Sequence, residues 1–167
     1  MKIAFIQPKM VTKEHKDFRF LNLYTLQPLA FGVLASVTPE DVDFKLYDDR
    51  LEDIPYDEQF DLVAISATTL TVKRGYKIAQ EFKSRKIPVV MGGIHPTLAP
   101  EEAIEYCDSV VMGNAESIWP QVILDARNGN LKKYYYPENK SFIPGLIPER
   151  SIFKGKKYNN VYPVQFG

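Results

Sequence analysis

Short apolar runs alternate along this chain with stretches of helical period. Ile3 to Ile6 is a compact apolar run behind a single charge, and Leu62 to Ile65, Val89 to Met91 and Val110 to Met112 are three more of strand length. Val42 to Tyr47 alternates apolar and polar positions, as a half-exposed edge strand does. Between the first two strands Leu26, Leu29, Ala30, Val33, Leu34 and Val37 recur at three- and four-residue steps, which predicts a helix that tolerates Pro28 in its first turn. Val72, Tyr76, Ala79 and Phe82 predict a second helix ahead of Pro88. Ile118, Trp119, Val122, Ile123 and Ala126 predict another, stopped by Asn128 and Gly129. A shorter helix is expected from Pro100, with Glu101 and Glu102 in the first turn, where the helix dipole favours acids. Asp49 to Phe60, acidic and interrupted by Pro55, reads as a loop with at most one helical turn.

Five strands joined by such crossovers predict an α/β fold, a doubly wound five-stranded parallel sheet in the flavodoxin-like order 2-1-3-4-5. Right-handed βαβ units put helices on both faces of such a sheet. From Leu131 onward the period is lost among Tyr134 to Tyr136, four later prolines and the lysines of 154–157. The pattern therefore divides the chain into a domain over 1–130 and an extended tail or linker over 131–167. That tail is expected to be poorly anchored, with Tyr134, Phe142, Phe153 and Phe166 partly exposed.

Composition narrows the function classes. At 167 residues and 45% apolar content the chain can bury its own core, and 21 basic against 21 acidic residues leave no net field to draw nucleic acid or an anionic membrane. Cys107 is the single cysteine, which excludes an internal disulfide and a multi-cysteine metal site, and fits a reducing compartment, by default the cytoplasm. No run approaches the roughly 20 apolar residues of a membrane span, and MKIAFIQPKM is broken too early for a signal peptide.

In doubly wound sheets ligands bind where the carboxyl ends of the strands open onto loops. Three such loops are rich in small residues: Ser66-Ala67-Thr68-Thr69 after strand three, Gly92-Gly93-Ile94-His95-Pro96-Thr97 after strand four, and Gly113-Asn114-Ala115-Glu116 after strand five. The hydroxyls can bind a polar ligand or cap the next helix. The glycines can admit a close ligand or simply punctuate a turn. His95 reads as a general base, a metal ligand or a turn histidine, and Cys107 as a small buried residue. Asp48 and Asp49 follow strand two, so the acid pocket of a phosphoryl-accepting receiver domain is not formed. With neither GxGxxG nor GxxxxGK[ST] after strand one, dinucleotide and P-loop readings fall away, and a flavin or nucleotide binder of this fold is disfavoured.

Taken together, Pro28-Leu29-Ala30-Phe31-Gly32, Gly92-Gly93-Ile94-His95-Pro96-Thr97 with Pro100-Glu101-Glu102-Ala103, and Gly113-Asn114-Ala115-Glu116 resemble the N-terminal cobalamin-binding domain of cobalamin-dependent radical S-adenosylmethionine enzymes. Anaerobic magnesium-protoporphyrin ester cyclases and related methyltransferases are of this type. The resemblance covers roughly residues 1–165. In the tail, Ile147-Pro148-Glu149-Arg150 and Tyr162-Pro163-Val164-Gln165-Phe166-Gly167 are similar to the linker that leads into the family's CxxxCxxC motif.

The resemblance implies a cobalamin-binding module, with Ser66, Thr68, Thr69, Gly92, Gly93, His95, Pro96, Thr97, Gly113, Asn114 and Glu116 as cofactor-binding candidates and no metal ligand or catalytic residue. It implies a radical S-adenosylmethionine domain in cis, holding an iron–sulfur cluster and S-adenosylmethionine, that performs methyl transfer or ring formation. By itself the chain is expected to catalyse nothing. The alternative is a domain that keeps the fold without the cofactor and serves as a substrate-recognition or interaction module. Where many members have GEGE after strand five, Asn114 replaces the first acid. The DxHxxG motif that supplies a lower histidine to cobalt elsewhere is absent after strand one, where Gln7-Pro8-Lys9-Met10-Val11-Thr12 stands and His15 follows late among charges. Cobalamin is therefore expected to bind without a protein nitrogen on cobalt and without its own base there, leaving His95 to bond the periphery or shape the turn.

Overall fold

The computed structural model describes residues 1–11, 25–137, 143 and 145–164. His15, Phe142 and Phe166 lie outside the described residues. Strands β1 (Lys2–Gln7), β2 (Asp43–Asp48), β3 (Leu62–Ser66), β4 (Val89–Gly92), β5 (Ser109–Val111) and β6 (Tyr134–Tyr135) form one sheet in the order β2-β1-β3-β4-β5-β6. All pairings are parallel, from Lys2↔Asp43 at one edge to Val111↔Tyr135 at the other. The expected order 2-1-3-4-5 is present, and the sheet runs one strand further than the hydrophobic pattern announced. Two residues are too short for a period, and Tyr135 is drawn in by burial of its ring.

The alternation of side chains divides the core into two halves. Ala4, Ile6, Val63, Ile65 and Met91 face α2 (Val72–Ser84), whose Val72, Tyr76, Ala79 and Phe82 form the buried stripe expected for it. Ile3, Phe5, Leu62, Ala64, Val90 and Val111 face α1 (Leu29–Ser36) and α5 (Trp119–Arg127). On that side Phe5 is stacked on Phe31 at 5.3 Å and tilted against Trp119 at 5.8 Å. Beyond β4 come two short helices, α3 (Ile94–Leu98) and α4 (Pro100–Ala103). The second was expected. The first occupies what reads in sequence as an open glycine-led loop.

The tail is not the loose segment expected. Phe153, in a 3-10 turn over Ser151–Phe153, is 4% exposed in the α1–α5 core, and Glu149 N–H donates to Gly32 O at 2.8 Å. A Cβ at residue 32 would stand 3.2 Å from Pro148 Cβ and 3.3 Å from Phe153 Cε2, so glycine there lets the tail lie against α1. Tyr158 Oη donates to Asp48 at 2.9 Å, and Lys156 pairs with Glu52. Asp48 is fully buried and also takes Arg50 Nε at 2.8 Å, while Asp49 accepts from Arg74 Nε and Nη2, both at 2.9 Å. These two acids are thus tied up structurally. Tyr134 is partly buried, so only part of the expected exposure is found.

Candidate functional site

The three small-residue loops converge at the carboxyl ends of β3, β4 and β5, and backbone contacts hold them together. Ala67 N–H donates to Gly92 O at 2.9 Å and His95 N–H to Ala67 O at 3.2 Å, joining the first two loops. Thr97 Oγ1 donates to Gly93 O at 2.8 Å and accepts from Gly113 N–H at 3.0 Å, joining the second to the third. Gly93 has φ +95°, and a Cβ there would stand 2.7 Å from Ala67 O and 2.9 Å from Ser66 Oγ. The room reserved by this glycine is therefore filled by the neighbouring loop, a reason for glycine that a ligand-approach reading overlooks.

Beside these loops, between them and α1 with the start of α5, lies a cleft of about 390 Å³. Of the sequence-derived candidates, Ser66, Gly92, Gly93, Thr97, Gly113, Asn114 and Glu116 line it. Thr68, Thr69, His95 and Pro96 do not. Thr68 N–H donates to Thr71 Oγ1 at 3.0 Å and Thr68 O accepts from Thr71 N–H at 3.0 Å in the turn that opens α2, a helix that no side chain caps. Pro96 is buried, and the His95 ring meets Tyr76 edge-on with centroids 6.3 Å apart. Its Nδ1 is 3.4 Å from Thr69 Oγ1 and its Nε2 3.6 Å from Glu102 Oε1. The histidine thus shapes the turn on the α2 side of the sheet, behind the cleft.

Sequence reasoning missed the opposite wall. Ala30, Phe31, Val33 and Leu34 of α1, with Trp119 of α5, face the cleft. The available signal was that Leu29 to Ala35 is apolar or glycine at every position, more than one face of a helix packed on a sheet requires. Ile94 and Leu98 of α3 also line the cleft at 63% and 76% exposure, a rim that no periodicity marked. Among the lining residues Glu116 alone carries a charge. Cys107 is buried at a distance from the cleft, and burial pushes its thiol up to about 12, leaving it protonated and inert. Among the described residues no cluster of three or more His, Cys, Asp or Glu could hold a metal ion, and no helix is long and apolar enough to cross a membrane.

The cleft thus sets apolar walls from α1 and α5 against a polar edge built from three loops. The family model described as B12 binding domain matches residues 24–123, more than half of the chain. Bacteriochlorophyllide d C-8(2)-methyltransferase of Chlorobaculum tepidum is 39% identical over 74% of this chain, and the C-12(1)-methyltransferase of the same organism is 31% identical over 98%. An uncharacterized methyltransferase of Pyrococcus horikoshii is 33% identical over 58% of the chain. The chain spans only 27%, 36% and 24% of the lengths of these relatives. A flavodoxin-like sheet, a cleft at its carboxyl edge and a family match running from the segment before α1 into α5 agree with one another, and the chain belongs to the B12-binding domain family.

Proposed function

We propose that the chain is the cobalamin-binding module of a radical S-adenosylmethionine methyltransferase. Residues 1–130 are the body of the cofactor domain, onto which β6 and the turn at Ser151–Phe153 pack, and 131–167 lead from it toward a barrel in cis that binds an iron–sulfur cluster and S-adenosylmethionine. The observation that carries this reading is the cleft of about 390 Å³ at the carboxyl ends of β3 to β5 in a B12-binding chain. Methyl transfer is preferred to ring formation because the two Chlorobaculum relatives are named as methyltransferases of bacteriochlorophyllide d. A reducing cytoplasm suits a chain whose one cysteine is a buried free thiol.

Bound cobalamin supplies a cobalt centre that can carry and release a methyl group. The chain's own residues bind and shield it. Ser66 and Asn114 offer the polar edge on loops that Thr97, Gly92 and Gly113 tie together, while Phe31, Val33, Leu34 and Trp119 keep water from the inserted part. Ile94 and Leu98, which line the cleft at 63% and 76% exposure, offer an apolar rim to the broad face of the macrocycle.

The test is a titration of the purified chain with hydroxocobalamin followed by its visible spectrum. Saturable binding is expected, and Ala30→Trp, which narrows the cleft from the exposed side of α1, should weaken it about tenfold or more while leaving the thermal midpoint unchanged. A wild-type chain that leaves the spectrum unchanged refutes this function in favour of a cofactor-free interaction module.

A further inference from the structure

Glu116 lines the cleft at only 9% exposure, and among the described residues no hydrogen bond or ion pair holds its carboxylate. The other residues around it in the cleft, from Phe31, Val33 and Leu34 to Ser66, Asn114 and Trp119, bring no titratable group. His95 and Glu102 lie behind the cleft in the contact already described, and the arginines beside Asp48 and Asp49 are spent on those acids. A ring that fills the cleft would leave an unpaired carboxylate against apolar walls, which is unfavourable unless the incoming group brings a proton or a donor.

Resting on the cobalamin reading above, we propose that Glu116 is the specificity residue for the nucleotide base of cobalamin, sharing one proton with the base's ring nitrogen. In free cobalamin that nitrogen's lone pair is bound to cobalt. On entry to the cleft the cobalt–nitrogen bond breaks, the lone pair takes a proton from solvent, and the resulting N–H donates to the Glu116 carboxylate. No electron changes hands. The carboxylate thereby favours the base-released form of the cofactor, with no histidine from the chain needed to displace the base.

The experiment compares cobalamin with cobinamide, which keeps the macrocycle and its amides but lacks the nucleotide, using calorimetry in buffers of different ionisation enthalpy. Wild-type chain is expected to take up about one proton per cobalamin near neutral pH and none per cobinamide, so cobalamin affinity falls by up to about tenfold per pH unit as pH rises. Glu116→Gln, of nearly the same shape, should abolish the proton uptake and lower cobalamin affinity about tenfold or more, with cobinamide affinity unchanged. Glu116→Asp, retaining the charge, should restore part of the uptake. Equal losses for both ligands would assign Glu116 to the macrocycle's amides and overturn the inference, as would undiminished proton uptake in Glu116→Gln. Failure of the wild-type chain to bind either ligand overturns the functional reading and this inference with it, whereas the two preceding results overturn this inference alone.

Discussion

Replacing Gly93 by alanine tests whether the close approach of the β3 and β4 loops is what this glycine serves. Its φ of +95° with ψ near −172° is a backbone state almost confined to glycine, and holding a side chain there costs roughly 1–3 kcal/mol. The new Cβ would also stand 2.7 Å from Ala67 O and 2.9 Å from Ala67 N, atoms fixed by the bonds to Gly92 and His95. Backbone cannot swing aside as a side-chain tip can, so overpacking adds about 1–3 kcal/mol more. The sum is about 4 kcal/mol. Gly113→Ala is the control: its φ is +70°, but the nearest atom is Pro137 Cγ at 3.6 Å, so only the left-handed penalty of roughly 1–2 kcal/mol applies. For a chain of this size that difference corresponds to midpoints lowered by roughly 10 °C and 4 °C respectively. Equilibrium urea unfolding of both variants measures it, with circular dichroism confirming the native baseline. Equal destabilisation would show that the contact with Ala67 is soft and that the conformational cost alone explains the glycine.

Three further outcomes are expected. Phe153→Ala should destabilise the chain by roughly 3–5 kcal/mol in the same assay, because the ring is 4% exposed and packs against α1; a loss under 1 kcal/mol would return this segment to the status of a loose tail. Burial, reinforced by the bond to Asp125, pushes the Tyr135 hydroxyl up to about 12 from 10.0. The folded state holds this proton more tightly than the unfolded one, so the contribution is intact below pH 10.0 and lost as pH climbs toward about 12. Tyr135→Phe should flatten the fall in stability over that window, and an unchanged alkaline slope would count against the assignment. For the cobalt(II) form of the bound cofactor, paramagnetic resonance is expected to show no nitrogen splitting from His95, since the ring faces Thr69, Tyr76 and Glu102; a splitting lost in His95→Ala would make this histidine the axial ligand.

Local patterning determined the strands, the longer helices and the parallel order, because a strand buried on both faces and a helix with one apolar stripe each leave a period that neighbouring residues suffice to reveal. It also brought Ser66, Gly92, Thr97, Gly113, Asn114 and Glu116 to one sheet edge, since strand ends in this topology share that edge. What it left undecided depends on atoms distant in sequence. The 3-10 turn at Ser151–Phe153 and the pairing of Tyr134–Tyr135 have no period, and they are ordered by Gly32 and Val110–Val111 more than twenty residues away. The separation of Thr68, Thr69 and His95 from the cleft was likewise invisible, because small loops can turn their side chains to either face of the sheet. Only the assembled fold, with the α1 wall raised against the loops and Ala67 seated where a side chain of residue 93 would be, decided which members of those loops line the cleft and which support the turn from behind.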